Sequence, residues 1–555
     1  MTYLELMESA LDAYSTDHIE SYFERVKERG LSEHGFPRLT ANIGILIAHG
    51  RRKDLYGLFV EMMDFCCDQI PKVKAANDFS VREIICALTE IEQSGEVDSE
   101  RIAQWRKGIG SIVPEKCYNV FARTPDDPVR NWALFTAVSE FFRYDAGFSA
   151  SMDFIELQIE SQLKWLDENG MYMDHEGEDI HQPIMYDIVP RGLFALLLHK
   201  GYRGKFYERI DECLRKAGLL TLKMQASNGE MAFGGRSNQF IHNEGWLAAI
   251  FSYEAKRYES LGDTRLASLF CSAVARAMRV TEDWLTKNPI THIKNRFPTS
   301  TKYGCEGYAY FDKYMITTAS NLYAAYVIAG NEIPKEEIPD TEATVFETSY
   351  HFHKLFLKCG GYSTEIDTNA DPHYDAGGVG RVIKNGAPSA ICISLPCPSE
   401  PNYYTDAEDT FALSICPAVY ISGDWRLGAD SDTEYRVISE YASKDTAQAI
   451  LRCDIDRKYH TVMTCTVSKD GVQIKAEGDG RIGISIPTFL FDGEKHTDIQ
   501  QKNGALSVGY EGHRCIYSTD GAFADIKRAA RNRNGYYKAF IAEGMNTVSV
   551  KIEIE

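Results

Sequence analysis

The richest stretch of chemistry in the chain is Gly234-Gly235-Arg236-Ser237-Asn238-Gln239-Phe240-Ile241-His242-Asn243-Glu244-Gly245-Trp246. A guanidinium, amides, an imidazole and a carboxylate fall within one turn-to-helix transition. A glycine pair does not hold a helix, Ser237 or Asn238 offers an N-cap oxygen, and the apolar spacing from Phe240 through Trp246 to Phe251 is helical. On a helix starting there, Asn238 and His242 are four apart, as are Gln239 and Asn243, so an amide and an imidazole can approach one small ligand. The competing reading makes Asn238 a cap and His242 a satisfied core residue. Donors of this kind suit the activation of a carbon acid, because they stabilise negative charge where it develops.

Three further segments carry reactive side chains. Glu178-Asp179-Ile180-His181-Gln182-Pro183-Ile184-Met185-Tyr186-Asp187, followed by Arg191, contains a proline that favours irregular, accessible backbone. Lys302-Tyr303-Gly304-Cys305-Glu306-Gly307-Tyr308-Ala309-Tyr310-Phe311-Asp312-Lys313-Tyr314 sets four tyrosines before a helix. Asp367-Thr368-Asn369-Ala370-Asp371-Pro372-His373-Tyr374-Asp375-Ala376-Gly377-Gly378-Val379-Gly380-Arg381 lies further on. Its glycines neither follow a strand of a βαβ unit nor open a helix, so they make no nucleotide fingerprint. A zinc site from His242 and His373 lacks identifiable further ligands, so no cofactor is expected, which leaves a structural metal open.

Two kinds of element must position these groups. Up to about residue 335 the apolar spacing is mostly helical, as in Leu4–Tyr14, Val81–Ile91, Trp132–Phe142, Phe240–Tyr258, Thr264–Trp284 and Tyr314–Ala329. Consecutive amphipathic helices with short links must pair as hairpins, giving a bundle, solenoid or closed ring. The prolines of Asn331–Asp340 mark a linker, placed at 336–345. Beyond it, short apolar or alternating runs separated by Gly, Asp and Asn turns predict an antiparallel β-sandwich over 346–555. Ala390–Leu395 is one expected strand, and Lys469-Asp470-Gly471 and Glu477-Gly478-Asp479-Gly480 are expected hairpin junctions.

Composition narrows the partners. A net charge of −20 argues against nucleic acid or an acidic membrane, which need a positive field. An anionic small substrate then requires a local cluster of Arg, His and Asn. The first residues carry acids and no secretory pattern, no apolar run spans a bilayer, and the 14 cysteines sit in apolar segments as free thiols do, so a cytoplasmic setting is expected. The oligomeric state is not encoded in any of these features.

Together, the helical half, the Asn/His cluster, the tyrosine-rich segment and the histidine early in the β half resemble heparinase II/III-like and alginate-lyase-like polysaccharide lyases. The resemblance implies an (α/α) toroid, an incomplete barrel of helical hairpins, followed by an antiparallel β-sandwich, and cleavage of uronic-acid polymers by β-elimination. By it, Asn238 or Asn243 is the amide that neutralises the uronate carboxylate, and His242 the adjacent imidazole. Tyr308 or Tyr310 is the proton-transferring phenol, and His373 the histidine that reaches the cleft from the sheet half. Arg236, Arg191 and His181 then hold acidic sugars at flanking positions, and Tyr186, Asn243, Glu244 and Tyr314 line the substrate. A cytoplasmic lyase of this kind would act on oligosaccharides from one end. The rival reading is a glycoside hydrolase drawing an acid and base from Glu244, Glu306, Asp312 and Asp187. A non-catalytic carbohydrate-binding protein is a third.

Overall fold

The computed structural model describes residues 1–174, 181–406, 410–502 and 504–555; Glu178, Asp179 and Ile180 lie outside them. Helices fill the first part of the chain and antiparallel sheets the rest. Six helices form an inner ring: α1 (Gly35–Ala48), α2 (Val81–Ser94), α3 (Trp132–Asp145), α4 (Ile184–His199), α5 (Asn243–Ser260) and α6 (Phe311–Ala329). Each touches the next, and α6 touches α1. Outer helices pair with them as hairpins, such as Met152–Leu163 on α3 and Thr264–Leu285 on α5. This is an (α/α) toroid.

Burial explains which helices lie inside. Every residue from Gly35 to Ile47 is buried, because α1 is covered on all sides. The outer helix Tyr207–Met224 buries Ile210, Cys213, Leu214, Ala217, Gly218, Thr221 and Met224, a single stripe at helical spacing. Inner helices approach closely where side chains are small. A Cβ on Gly192 of α4 would stand 2.3 Å from the ring of Trp246 on α5.

The β half is a sandwich. β1 (Thr344–Glu347), β2 (Lys354–Cys359), β3 (Tyr362–Asp367) and β4 (Gly378–Lys384) form one antiparallel sheet in that order. A larger antiparallel sheet is built on the long strands Gly471–Phe491 and Gly535–Ile554. The small sheet packs on the large one through β2 and β3, and meets the toroid through β1 and β2 at the helix Tyr207–Met224. It is therefore covered on both faces, and every residue of β2 is buried.

Two local expectations are corrected. Glu477-Gly478-Asp479-Gly480 is not a hairpin; it lies within one long strand, where the register shifts between Glu477 and Arg481. Glycines in a strand serve a bulge as readily as a turn. Ala390–Leu395 forms no strand: Ser389–Ile391 is a 3-10 turn, and Ile393 makes one isolated bridge to Val382. Lys469-Asp470-Gly471 does join two paired strands. Between α6 and β1 the chain is fastened to the helix Thr264–Leu285, where Ser272 Oγ accepts from the amides of Glu337 and Ile338 at 3.0 Å.

Among the described residues no helix is long and apolar enough to cross a membrane. Thirteen of the fourteen free cysteines are buried.

Candidate active site

The Gly234–Trp246 stretch folds differently from a simple helix start. The Ile241 amide donates to His292 O at 3.1 Å and the Lys294 amide to Gln239 O at 2.8 Å, so residues 239–241 run against 292–294. That pairing delays α5, which begins at Asn243 with His242 at its N-cap. The expected helical adjacency of Asn238 with His242, and of Gln239 with Asn243, is therefore absent. Gly235 and Ser237 both take positive φ, 73° and 62°. For serine this left-handed conformation is strained and persists only where neighbours over-determine it. They do: the Ser237 amide donates to Glu306 Oε1 at 2.7 Å, its carbonyl accepts from Asn243 Nδ2 at 3.1 Å, and its hydroxyl is bonded to the Tyr308 hydroxyl.

The small β-sheet clamps the same turn. The Gly235 amide donates to Asp375 Oδ2 at 3.2 Å, and Asp375 is paired with the buried Lys354 at 3.1 Å. The Phe233 amide donates to Glu365 Oε2 at 2.9 Å, and Arg381 bridges Glu365 to the Met231 carbonyl.

Over this turn lies a cavity of 500 Å³. Its lining comes from the N-terminal turns of the inner helices: His34 and Arg38 at α1, Trp132 at α3, Tyr186 at α4, His242 at α5, and Lys313 and Tyr314 at α6. Unpaired N–H groups at helix starts carry partial positive charge. Several of them converge here beside Arg38, Arg236 and Lys313, so the site presents a positive interior within a chain of net charge −20.

Of the residues singled out from sequence, Arg236, His242, Tyr186, Tyr308 and Tyr314 line this cavity. Arg236 Nε donates to the Tyr186 hydroxyl at 3.1 Å, with its guanidinium 4.8 Å from the Tyr186 ring centroid. Tyr314, Phe240 and His242 stack, with centroids 4.7 Å apart for Tyr314–Phe240 and 4.8 Å for Phe240–His242.

The others are placed elsewhere, each for a visible reason. Asn238 staples its own loop, accepting from the Gly234 amide at 2.9 Å and donating to Ala232 O at 2.8 Å. Asn243 is spent on the Ser237 carbonyl. Glu244 is buried in a pair with Lys294. Arg191 is fully buried one turn from Asp187, donating to it at 2.8 Å and to Thr221 Oγ1 at 2.9 Å. Tyr310 faces away, 47% exposed, beside Asp312. His181 stands by His353, ring centroids 5.9 Å apart, at the contact between the two halves. His373 is exposed, its Nδ1 lies 2.8 Å from Glu400 O, and it is not among the residues that line the cavity.

What the sheet half brings instead is Arg533. It donates to Glu306 at 2.6 Å, fixing the carboxylate that holds Ser237. Arg38, His34 and Arg533 were not singled out from sequence; Ser237 was weighed only as an N-cap, and Lys313 only as part of the tyrosine-rich segment.

The four carboxylates considered for hydrolysis are all paired: Glu244 with Lys294, Glu306 with Arg533, Asp312 with His18 and Arg25, and Asp187 with Arg191. None lines the cavity. Among the described residues no group of three or more His, Cys, Asp or Glu side chains is placed to hold a metal ion.

Burial, reinforced by Arg38, pushes the His242 imidazole well below its usual range, so it is neutral at pH 7 and its Nδ1 has no hydrogen-bond partner. Burial, then Glu306, pushes the Tyr308 phenol well up, so it keeps its proton. Nearby, burial lowers His292 to about 4. Between pH 6.5 and 4 the unfolded chain protonates this histidine and the folded one does not, so its contribution erodes stability as pH falls. His292→Gln should remove about 1.4 kcal/mol per pH unit of that slope, measured by urea unfolding at pH 7 and 4.5. An unchanged slope would show that His292 is already protonated in the fold.

No family model matches the chain, and no curated protein matches it. Among solved structures it is similar to heparinase III, at 10% identity over 85% of this chain and 76% of that one, with a TM-score of 0.38. It is similar to the heparan sulfate lyase HepC from Pedobacter heparinus, at 9% identity over 89% and 75%, TM-score 0.33. A chondroitin lyase, the baculovirus envelope protein ODV-E66, matches at 9% identity over 80% and 79%, TM-score 0.21. Scores this low leave the chemistry of the site to its own geometry.

Proposed function

We propose that the protein is a lyase that cleaves uronic-acid-containing oligosaccharides by β-elimination in the cavity at the N-terminal ends of the inner helices. The observation that carries this reading is the meeting of a cation, a neutral imidazole and a protonated phenol in one pocket, formed by Arg236, His242 and Tyr308. Arg236 and the helix N-termini neutralise the uronate carboxylate, which makes the C5 proton removable. His242, a neutral imidazole lining the cavity, takes that proton. The electrons form the C4–C5 double bond, the C4–O bond breaks, and Tyr308 gives its proton to the departing oxygen. Ser237 orients the phenol, and Tyr186 orients Arg236. Trp132 and Tyr314, both partly exposed in the cavity lining, supply surfaces for sugar rings.

Elimination is favoured over hydrolysis because hydrolysis needs two carboxylates flanking the bond. The only carboxylate lining the cavity among the described residues is Glu33, whose oxygens already accept from the Tyr22 hydroxyl and the Gly35 amide. In this reading the helical half supplies the reacting groups without His373. A pocket of 500 Å³ holds few sugar units, which supports action from a chain end.

Incubation with uronate oligosaccharides should raise near-ultraviolet absorbance and release one short unsaturated product without incorporating oxygen from labelled water. Labelled oxygen in the product would establish hydrolysis, and mixed long fragments would rule out end-wise action.

A further inference from the structure

The cavity has a second cationic end that the elimination step does not use. Lys313, in the first turn of α6, lines it with His34 and Arg38 from the start of α1. Arg38 is occupied: Nη1 donates to Thr317 Oγ1 at 2.9 Å, and Nε lies 3.2 Å from Glu83. Among the described residues, Lys313 Nζ has no hydrogen bond and no ion pair; it rests over the rings of Tyr310 and Tyr314, 4.8 and 5.2 Å from their centroids. Glu33 is the acid in its surroundings, but its oxygens are engaged by Tyr22 and Gly35. Burial lowers the Lys313 ammonium from its usual range, with the Glu33 carboxylate pulling the other way and Arg38 adding to the burial effect.

His34 is the second, independent observation. It is only 5% exposed, and its Nδ1 has no partner although it lines the cavity. A buried polar atom without a partner is destabilising, and a ligand can relieve that cost. Burial, then Arg38 and Lys313, keeps this imidazole neutral, so it can donate or accept without adding charge. Arg38 and Arg82 share the one carboxylate of Glu83 and Lys313 faces Glu33, so one positive charge at this end is left over, which matches one monoanionic group.

We propose that Lys313 and His34, backed by Arg38, form a subsite for a second monoanionic substituent, a carboxylate or a sulfate half-ester, on the sugar next to the one that reacts. This rests on the elimination reading for what occupies the Arg236 end, but the subsite itself is a statement about binding. It makes the protein selective for saccharides charged on consecutive units.

Because Arg236 offers a rival cation, binding is best measured by calorimetry in an Arg236→Met background. The probes are glucuronate, glucose 6-sulfate and glucose. Lys313→Met in that background should weaken the preferred anionic probe by about tenfold or more, as loss of a charge-assisted contact does, and leave glucose unchanged. Lys313→Arg should retain most of the affinity. Tighter binding of glucuronate assigns a carboxylate, and tighter binding of glucose 6-sulfate a sulfate. Equal affinities with and without Lys313, or no binding of either anion, overturn the subsite. An ultraviolet assay of the otherwise wild-type protein is scored separately: Lys313-dependent binding without an unsaturated product keeps the subsite and removes the lyase, and turnover with a Lys313-independent KM does the reverse.

Discussion

Tyr308→Phe should lower kcat by about 10²–10⁴-fold on any oligosaccharide the wild-type protein eliminates, with little change in KM or in unfolding midpoint. The phenol is the only proposed source of the leaving-group proton, and burial beside Glu306 keeps it protonated. Phenylalanine preserves the ring and removes only the hydroxyl bonded to Ser237. His242→Ala should lower turnover comparably, but should cost more stability, because His242 is part of the stack with Phe240 and Tyr314. Product-release-limited enzymes hide such effects, so single-turnover absorbance is the deciding measurement. Near-normal rates in both variants would move the chemistry away from this pair.

The largest stability effect is expected at Glu306→Ala. Glu306 and Arg533 are 4% and 2% exposed, and join the tyrosine-rich loop of the helical half to the large sheet. Removing one member of a buried pair strands the other, at about 3–5 kcal/mol. Arg533 would be left between the rings of Tyr403 and Tyr374, 4.7 and 5.4 Å from their centroids. Ser237 would lose the acceptor for its amide and with it part of the restraint on its left-handed backbone. Turnover should therefore fall about tenfold to a hundredfold through misplacement of Tyr308. Arg533→Met alone should be similarly destabilising, and the double variant should recover part of the loss, a coupling that urea titration of all four proteins would measure. Strict additivity would show that the two side chains stabilise the fold independently.

How much of this was legible in the chain differs by element. Thr264–Leu285 announces itself because it buries one stripe, and a stripe has a period. Gly35–Ala48 does not, since from Gly35 to Ile47 it is buried on every side, with Arg38, Thr40 and Asn42 interrupting its apolar residues, so no exposed face sets a period. His34 and Arg38 stand at its start, so their part of the cavity lining was hidden with it. Ile184–His199 was obscured by Pro183 and Pro190, although Pro183 merely caps it.

By itself the sequence determined the order of a helical half and a sheet half, and the two segments, around Arg236 and Tyr308, where reactive groups concentrate. Those follow from local periodicity and residue type. Only the tertiary structure decided which members meet. Pairing of residues 239–241 with 292–294 moved the start of α5, which set Asn238 to stapling a loop and His242 to facing the cavity. Lys313 and His34 come from chain positions far apart, brought together because a ring of inner helices places their N-termini at one end, while Arg533 reaches from the sheet half to the Glu306 carboxylate that holds the connecting turn. No local pattern encodes that closure, since it depends on contacts across hundreds of residues.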